Sequence, residues 1–185
     1  RIAHLINQGI KPKNILALTF TNKAANEMKQ RVHNITNTQE SYSVWMGTFH
    51  SVFAKILRNE SNSLGYEFNF TIYDNEDSVK IIRRIIKDHN LDKEHYNAKY
   101  IFSKISIMKN QLIDSKKYKL NYELMQNDKI NKREKFCEIY QEYCESCAQS
   151  NAMDFDDLLV NTYNLFSNNK EILTENMMLK SNDII

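Results

Sequence analysis

The sequence predicts an α/β fold that is mostly helical, with a short parallel sheet and an inserted all-helical segment. The chain has 185 residues but only three glycines and one proline, too few turn-forming residues for an all-β sandwich or barrel. Two strand-like runs in its first third are each followed by an amphipathic helix pattern, which is typical of parallel strands with helices packed on them. Strand-like runs then disappear between about residues 73 and 150, and this predicts the helical insertion.

The first strand is predicted at residues 15–20, ILALTF, because a short continuous apolar run is typical of a parallel strand that is buried on both faces. The helix after it carries Ala25 and Val32 on its apolar face and is expected to begin near Thr21 or Asn22. Both are favoured caps, since their side-chain oxygens accept hydrogen bonds from the free amides of a first helical turn.

A second unit of the same kind follows along the chain. Residues 42–46 predict a strand, Gly47 and Thr48 predict a turn, and an apolar stripe beginning at Phe49 predicts a second helix. Two strand-to-helix units in succession predict a parallel sheet with helices packed on it.

A third short strand is predicted at residues 68–73, and Asp74 after it is a good helix cap. Residues 113–130 lack a clear period and are expected to include a loop. The remaining apolar periodicity in this part of the chain indicates three helices, around residues 79–86, 101–112 and 136–147.

The charges are distributed unevenly along the chain. The net charge is +2, but residues 76–135 carry 15 basic and nine acidic side chains, whereas residues 136–185 have a net charge of −7. A basic helical segment suggests a surface that meets phosphate groups. The alternative interpretation is a set of lysine-rich helix faces that are simply solvated.

The three cysteines, Cys137, Cys144 and Cys147, are odd in number and clustered, which favours a reducing compartment over a disulfide framework. They are expected to be buried thiols on one helix face, because no fourth ligand for a metal follows them in sequence. No apolar stretch approaches the roughly 20 residues that cross a bilayer. We therefore expect a cytoplasmic protein without a membrane partner.

The first candidate ligand-binding loop follows the first predicted strand and contains Thr19, Phe20, Thr21, Asn22 and Lys23. In open α/β sheets, ligands bind outside the carboxyl ends of the strands. Hydroxyl and amide groups at a helix N-terminus can hold phosphate oxygens while an aromatic ring stacks on a base. The alternative is ordinary helix capping with Phe20 in the core.

The second loop, with Gly47, Thr48, Phe49, His50 and Ser51, offers the same mixture of a ring, hydroxyls and a polar aromatic side chain. It follows the second predicted strand, so it is expected at the same edge of the sheet. The alternative for His50 is a polar residue whose hydrogen bonds are satisfied locally.

Asp154, Asp156 and Asp157 lie together in the segment MDFDDLL. Carboxylates are ligands for hard cations, but Asp154 also suits a helix cap and acidic residues suit a first helical turn. We therefore expect Asp154 to cap a helix over residues 155–166, with no metal bound. The sequence contains no GxxxxGK[ST] phosphate loop, and we expect no catalytic residue in it.

Three motifs occur in a defined order: ILALTFTNKAANEMKQRV, GTFHSVFAKILR and MDFDDLL. With this order and spacing, the sequence resembles the UvrD/PcrA/Rep family of superfamily 1 DNA helicases over residues 1–72 and 151–166. The resemblance implies a partial RecA-like 1A domain over residues 1–72, a helical basic 1B subdomain over residues 73–150, and a return to the 1A domain over residues 151–185.

The resemblance also implies roles for the two loops. In such helicases the TFTNKAA segment contacts single-stranded DNA, with its phenylalanine stacking on a base, and the TFHS segment lines the same DNA track. The residues that this implies for DNA binding are Thr19, Phe20, Thr21, Asn22, Thr48, Phe49, His50 and Ser51.

The resemblance implies that the full-length parent protein, of which this chain would be a fragment, is an ATP-dependent 3′–5′ DNA helicase. This helicase would use ATP and Mg²⁺ in DNA repair or replication. Its DNA partners would be single-stranded DNA and a duplex junction. The family's phosphate loop would precede Arg1 and its DExxD motif would follow Ile185, so this fragment alone is expected to be inactive and to bind no cofactor. Open sheet edges in such a fragment favour self-association.

Two other interpretations remain at this point. One is a non-enzymatic helical module that binds DNA or docks on a protein, which the basic segment favours. The other is part of a helicase–nuclease subunit. The helicase interpretation requires both loops at one edge of a parallel sheet, whereas the non-enzymatic module does not.

Overall fold

A computed structural model of the chain describes residues 1–37 and 42–168. The chain divides into two compact units: Arg1–Asn59 with the described residues from Asn161 onward form unit 1, and Glu60–Val160 form unit 2. The three predicted domains, with boundaries after residues 72 and 150, stay a prediction. The two units instead change over at residues 59/60 and 160/161.

Unit 1 is built on two strands and the helices that accompany them. A 3-10 helix, Pro12–Asn14, contains the only proline of the chain and leads into the first strand. The elements are α1 (Ile2–Asn7), β1 (Leu16–Thr19), α2 (Asn22–Thr36), β2 (Trp45–Thr48) and α3 (Phe49–Asn59).

Strands β1 and β2 are paired in parallel, with Thr19 opposite Thr48, so the predicted parallel sheet is confirmed. The sheet packs against α2 through buried apolar side chains from both strands and from the helix, including Ala17, Val32 and Met46. The turn predicted at Gly47 and Thr48 is wrong. Both residues belong to β2, and α3 begins directly after them.

Unit 2 contains a small second sheet and most of the helices. Helix α10 begins in this unit and continues beyond residue 160, where the unit ends. The elements are α4 (Ser61–Leu64), β3 (Thr71–Tyr73), α5 (Asn75–Asp88), α6 (Ala98–Asn110), α7 (Ser115–Leu120), α8 (Tyr122–Ile130), α9 (Phe136–Gln149), β4 (Ala152–Asp154) and α10 (Phe155–Asn168).

Along the chain, helices α5 to α9 come between strands β3 and β4. These two strands pair in parallel, with Tyr73 opposite Asp154. The hydrophobic core of the helices contains fully buried side chains from α5, α6 and α9, among them Ile82, Ile105 and Tyr143. Burying side chains of this size contributes about 1.5–3 kcal/mol each. The predicted α/β fold, mostly helical with a helical insertion, is therefore confirmed.

Two details of unit 2 differ from the sequence-based expectations. Residues 113–130, which were expected to include a loop, consist mostly of α7 and α8, whose first turns are capped by Asp114 and Asn121. Helices of six and nine residues are too short to show a reliable apolar period. Strand β4 was not predicted, because three residues show no period and only the pairing with β3 defines them as a strand.

The cysteines lie on α9 as predicted. Cys137 and Cys147 are buried, Cys144 is half-buried, and all three are free thiols. Burial raises the pKa of both Cys144 and Cys147 to about 12, so they remain protonated at neutral pH. Among the helices in the described ranges, none combines the length and the apolar character that crossing a bilayer requires.

Candidate nucleic-acid interface

The parallel pairing of β1 and β2 brings the two predicted loops together. Because Thr19 at the end of β1 lies opposite Thr48 at the end of β2, the segments that follow both strands emerge at the same edge of the sheet. We call residues 19–22 and 48–51 the loop edge. All eight residues implied for DNA binding lie there, in the place where open parallel sheets bind ligands.

Two aromatic rings of the loop edge and a third ring on the next turn of α3 form a row. The ring centroid of Phe20 lies 5.5 Å from that of Phe49, with the planes inclined by 48°. Phe49 in turn meets Phe53 edge to face at 6.1 Å. These separations are within the range of favourable aromatic pairs.

Phe20 is 90% exposed, which contradicts the alternative interpretation that it is a core residue. Phe49 and Phe53 are half-buried. Phe49 contacts Phe20 directly, and Phe53 packs against Phe49. A large apolar ring that is exposed to solvent and packed on a second ring can bind another flat, apolar surface. This arrangement matches what a base-stacking platform needs.

The hydroxyl groups of the loop edge form hydrogen bonds with the first turns of α2 and α3. Thr21 Oγ1 accepts a hydrogen bond from the amide of Ala24 at 3.2 Å, so the predicted cap of α2 is confirmed. Thr48 Oγ1 donates to Ser51 Oγ at 3.0 Å and accepts from the amide of Ser51 at 3.3 Å. These residues fix the loop geometry, whereas Asn22 and His50 present exposed side chains at the surface.

Two helix N-termini, those of α2 and α3, begin at the loop edge. The free amides of a first turn and the helix dipole favour anions such as phosphate. The sequences of these first turns, NKAA and FHSV, contain no acidic residue, and Lys23 is exposed in the first of them. The loop edge is therefore electrostatically suited to phosphate groups beside its rings.

Gly47 allows α3 to begin directly at the end of β2. A Cβ atom at this position would lie 2.7 Å from Ser51 Oγ and 2.9 Å from Val52 Cγ2. Both separations are shorter than van der Waals contact, so a side chain at this position would force the side chains of Ser51 and Val52 to move.

The aspartates of MDFDDLL do not gather as a metal site. Asp154 Oδ1 accepts the amide of Asp157 at 2.8 Å, which confirms the predicted cap, and Asp156 accepts from Asn110 at 2.9 Å. In residues 1–37 and 42–168, no three His, Cys, Asp or Glu side chains are arranged to hold a metal ion.

Sequence reasoning missed two residues. Phe53 belongs to the apolar stripe that begins at Phe49 and was given no role of its own, although its i,i+4 spacing from Phe49 is a signal for an aromatic pair on one face. Lys109 is buried, and its Nζ lies 2.7 Å from Asp154 Oδ2. No local signal distinguishes this lysine from the many exposed lysines around it.

Comparison with known proteins agrees with the resemblance seen in the motifs. Residues 1–179 match the family described as UvrD/REP helicase N-terminal domain. The ATP-dependent DNA helicase PcrA of Staphylococcus aureus is 36% identical over 177 residues, which cover 94% of this chain and 23% of that protein. PcrA of Staphylococcus epidermidis is 36% identical over 174 residues, with the same shares covered. The chain thus spans about a quarter of the length of these relatives, and it belongs to the UvrD/REP helicase N-terminal domain family.

Proposed function

We propose that this chain is part of an ATP-dependent DNA helicase and that the loop edge contacts single-stranded DNA. The observation that carries this proposal is the exposed ring of Phe20, packed against Phe49 where the carboxyl ends of β1 and β2 meet. Bases stack on such rings, while the amides at the starts of α2 and α3 bind the phosphates between the bases.

In the full-length protein, nucleotide-driven closure of two RecA-like domains moves the strand past these rings in the 3′–5′ direction. ATP and Mg²⁺ supply the energy, and the cellular setting is DNA repair or replication in the cytoplasm. Stepwise movement needs a contact that is sequence-tolerant, and stacking provides it because every base has an aromatic face.

We also propose that unit 2 meets the duplex ahead of the single strand. A groove between α5 and α6, of about 560 Å³, is lined by the exposed cations Lys80, Arg83 and Lys99. Such a cluster attracts the phosphate backbone without reading its sequence. This groove is also the observation that favours a non-enzymatic DNA-binding module as the second candidate function.

The experiment that tests single-strand binding compares two labelled oligonucleotides of equal length, one of thymidines and one of abasic nucleotides. The 185-residue chain is expected to bind the thymidine strand at least about 5-fold more tightly, because stacking contributes about 1–3 kcal/mol per base and the abasic strand retains only its phosphates. Equal affinity for the two strands, or no binding to either, would contradict the proposal.

ATP hydrolysis is assigned to the full-length protein and not to these residues alone. The sequence has neither a GxxxxGK[ST] loop for the phosphates nor an apolar strand ending in Asp-Glu for magnesium. A coupled ATPase assay of the chain with excess single-stranded DNA is expected to show no turnover. A rate of even about 1 s⁻¹, within the ordinary range of enzymes, would overturn this assignment.

The sheet of unit 1 also gives the chain a route to self-association. Within the described residues, β1 and β2 form a two-stranded sheet, so each strand has one edge without a strand neighbour. We propose that two copies of the chain can pair along such an edge. Light scattering that shows a monomer across the working concentration range would refute this.

A further inference from the structure

A buried ion cluster lies in unit 2. Lys109 on α6 is 4% exposed, and its Nζ lies 2.7 Å from Asp154 Oδ2 and 2.7 Å from Asp157 Oδ1. One cation therefore faces two carboxylates. With both carboxylates ionised, the three groups carry a net charge of −1 at a site where Lys109 and Asp154 are buried and the side chain of Asp157 is 19% exposed.

The two carboxylates are not equivalent. Asp154 accepts from Lys109, from the amide of Asp157 at 2.8 Å, and from the hydroxyl of Tyr143 at 2.7 Å. Asp157 accepts from Lys109 and from the amide of Asp154 at 3.1 Å. Because hydrogen bonds to a carboxylate favour its charged form, Asp154 retains the negative charge and Asp157 is the better site for a proton.

The other titratable groups that face Asp157 are held neutral at pH 7. Burial raises the pKa of Tyr66, in the segment after α4, to about 12, and it also raises the pKa values of the residues on α9. The groups on α9 that face Asp157 are Tyr140, Cys144 and Cys147, whereas Tyr143 faces Asp154. Lys109 is the cation that opposes the rise in pKa of Tyr66 and of the three groups on α9.

We propose that Lys109, Asp154 and Asp157 form a proton-binding clamp, in which a proton taken up by Asp157 tightens the attachment of the first turn of α10 to α6 and α9. The proton removes the excess negative charge and leaves the neutral pair of Lys109 and Asp154. This inference goes beyond the proposed function and does not depend on it. It gives the aspartates of MDFDDLL a role that neither helix capping nor DNA binding assigns.

The direction of the pH dependence follows from the two carboxyls. Burial, together with the negative charge of Asp154 and against the attraction of Lys109, raises the pKa of Asp157 to about 6. Burial of Asp154 is outweighed by Lys109 and its hydrogen bonds, which lower the pKa of that carboxyl. An unfolded aspartate titrates near 3.9. Stabilisation by the proton on Asp157 is therefore complete below about pH 4 and is lost as the pH rises through about 6.

Asp154 acts in the opposite sense. Its stabilisation is present above about pH 4 and is lost as the pH falls below that value. The clamp is consequently firmest near pH 4 and loosens as the pH rises through about 6. Helix α10 begins directly after Asp154 and continues past Val160, where unit 2 ends, to Asn168. Protonation of Asp157 therefore strengthens the attachment of the first turn of this helix.

The clamp is tested by nuclear magnetic resonance of the side-chain carboxyl carbons in the whole chain, titrated from pH 3 to pH 8. The Asp157 signal, assigned through its own backbone, is expected to titrate with a midpoint near 6. A midpoint at or below about 4.5 would overturn the proposal. This reading needs no variant, so it decides the question even where a variant fails to fold.

Variants then separate a clamp from a merely structural contact. Lys109→Met is expected to raise the midpoint of Asp157 by at least one pH unit, because the neighbouring cation is lost, and Lys109→Arg is expected to restore it. Asp156→Asn is the matched control, since Asp156 contacts Asn110 and not Lys109, and it is expected to leave the midpoint unchanged. Amide exchange of residues 155–160, corrected for intrinsic rates, is expected to be slower at pH 5 than at pH 7.5. A midpoint that Lys109→Met leaves unchanged, or equal protection at both pH values, would refute the clamp.

Discussion

Replacing Phe20 by alanine is expected to weaken single-stranded DNA binding by about 1–3 kcal/mol, roughly 5- to 150-fold, and to leave the melting temperature of the chain unchanged. The ring is 90% exposed, so its removal opens no cavity. A buried phenylalanine would behave differently, because its truncation destabilises a fold by about 3–5 kcal/mol. A DNA titration run beside a melting curve distinguishes the two cases.

Two further variants control for general surface effects. Ile35→Ala removes an apolar side chain from α2 that is 67% exposed but lies about three and a half helical turns from the loop edge. This variant is expected to bind DNA like the wild type. Phe20→Tyr retains a ring and is expected to keep most of the affinity. A Phe20→Ala protein that melts several degrees lower and yet binds DNA normally would contradict the stacking role.

Replacing Lys109 by alanine is expected to lower the free energy of unfolding of unit 2 by about 3–5 kcal/mol at pH 7. The change removes the cation between Asp154 and Asp157 and leaves a fully buried and a half-buried carboxyl without it. Far-ultraviolet circular dichroism during denaturation follows this loss, because unit 2 holds most of the helices. Tryptophan fluorescence does not report on it, since the single tryptophan, Trp45, lies in unit 1.

Lys80→Ala is the matched control for this change. Lys80 forms an exposed ion pair with Asp77 at 3.2 Å, and pairs of this kind contribute at most about 1 kcal/mol. A Lys109→Ala protein that loses no more stability than Lys80→Ala would show that the buried cluster is not held together by its cation.

The parts of the fold that rest on local patterns could be predicted from sequence. The run ILALTF indicated β1, and the helix cap at Thr21 was recognisable from the residue type. Placing two loops after successive parallel strands was enough to bring Phe20 and Phe49 to one edge, because the carboxyl ends of parallel strands meet there.

The parts that rest on long-range contacts could not be predicted. Strand β4 is defined by its pairing with β3, about 80 residues earlier in the chain, and Lys109 meets Asp154 across 45 residues. Neither contact leaves a periodic signal in the local sequence. The exposure of Phe20 also required the structure, because an aromatic residue after an apolar strand is equally compatible with the core.

Photochemical cross-linking tests the role of the loop edge most directly. The protein is irradiated in complex with single-stranded DNA that carries 5-iodouracil, and the adducts are mapped by mass spectrometry. Our account predicts adducts on Phe20 or Phe49, since a stacked base lies in contact with these rings, and it predicts their loss in Phe20→Ala but not in Ile35→Ala. Adducts confined to residues 60–160, with none on the loop edge, would contradict it.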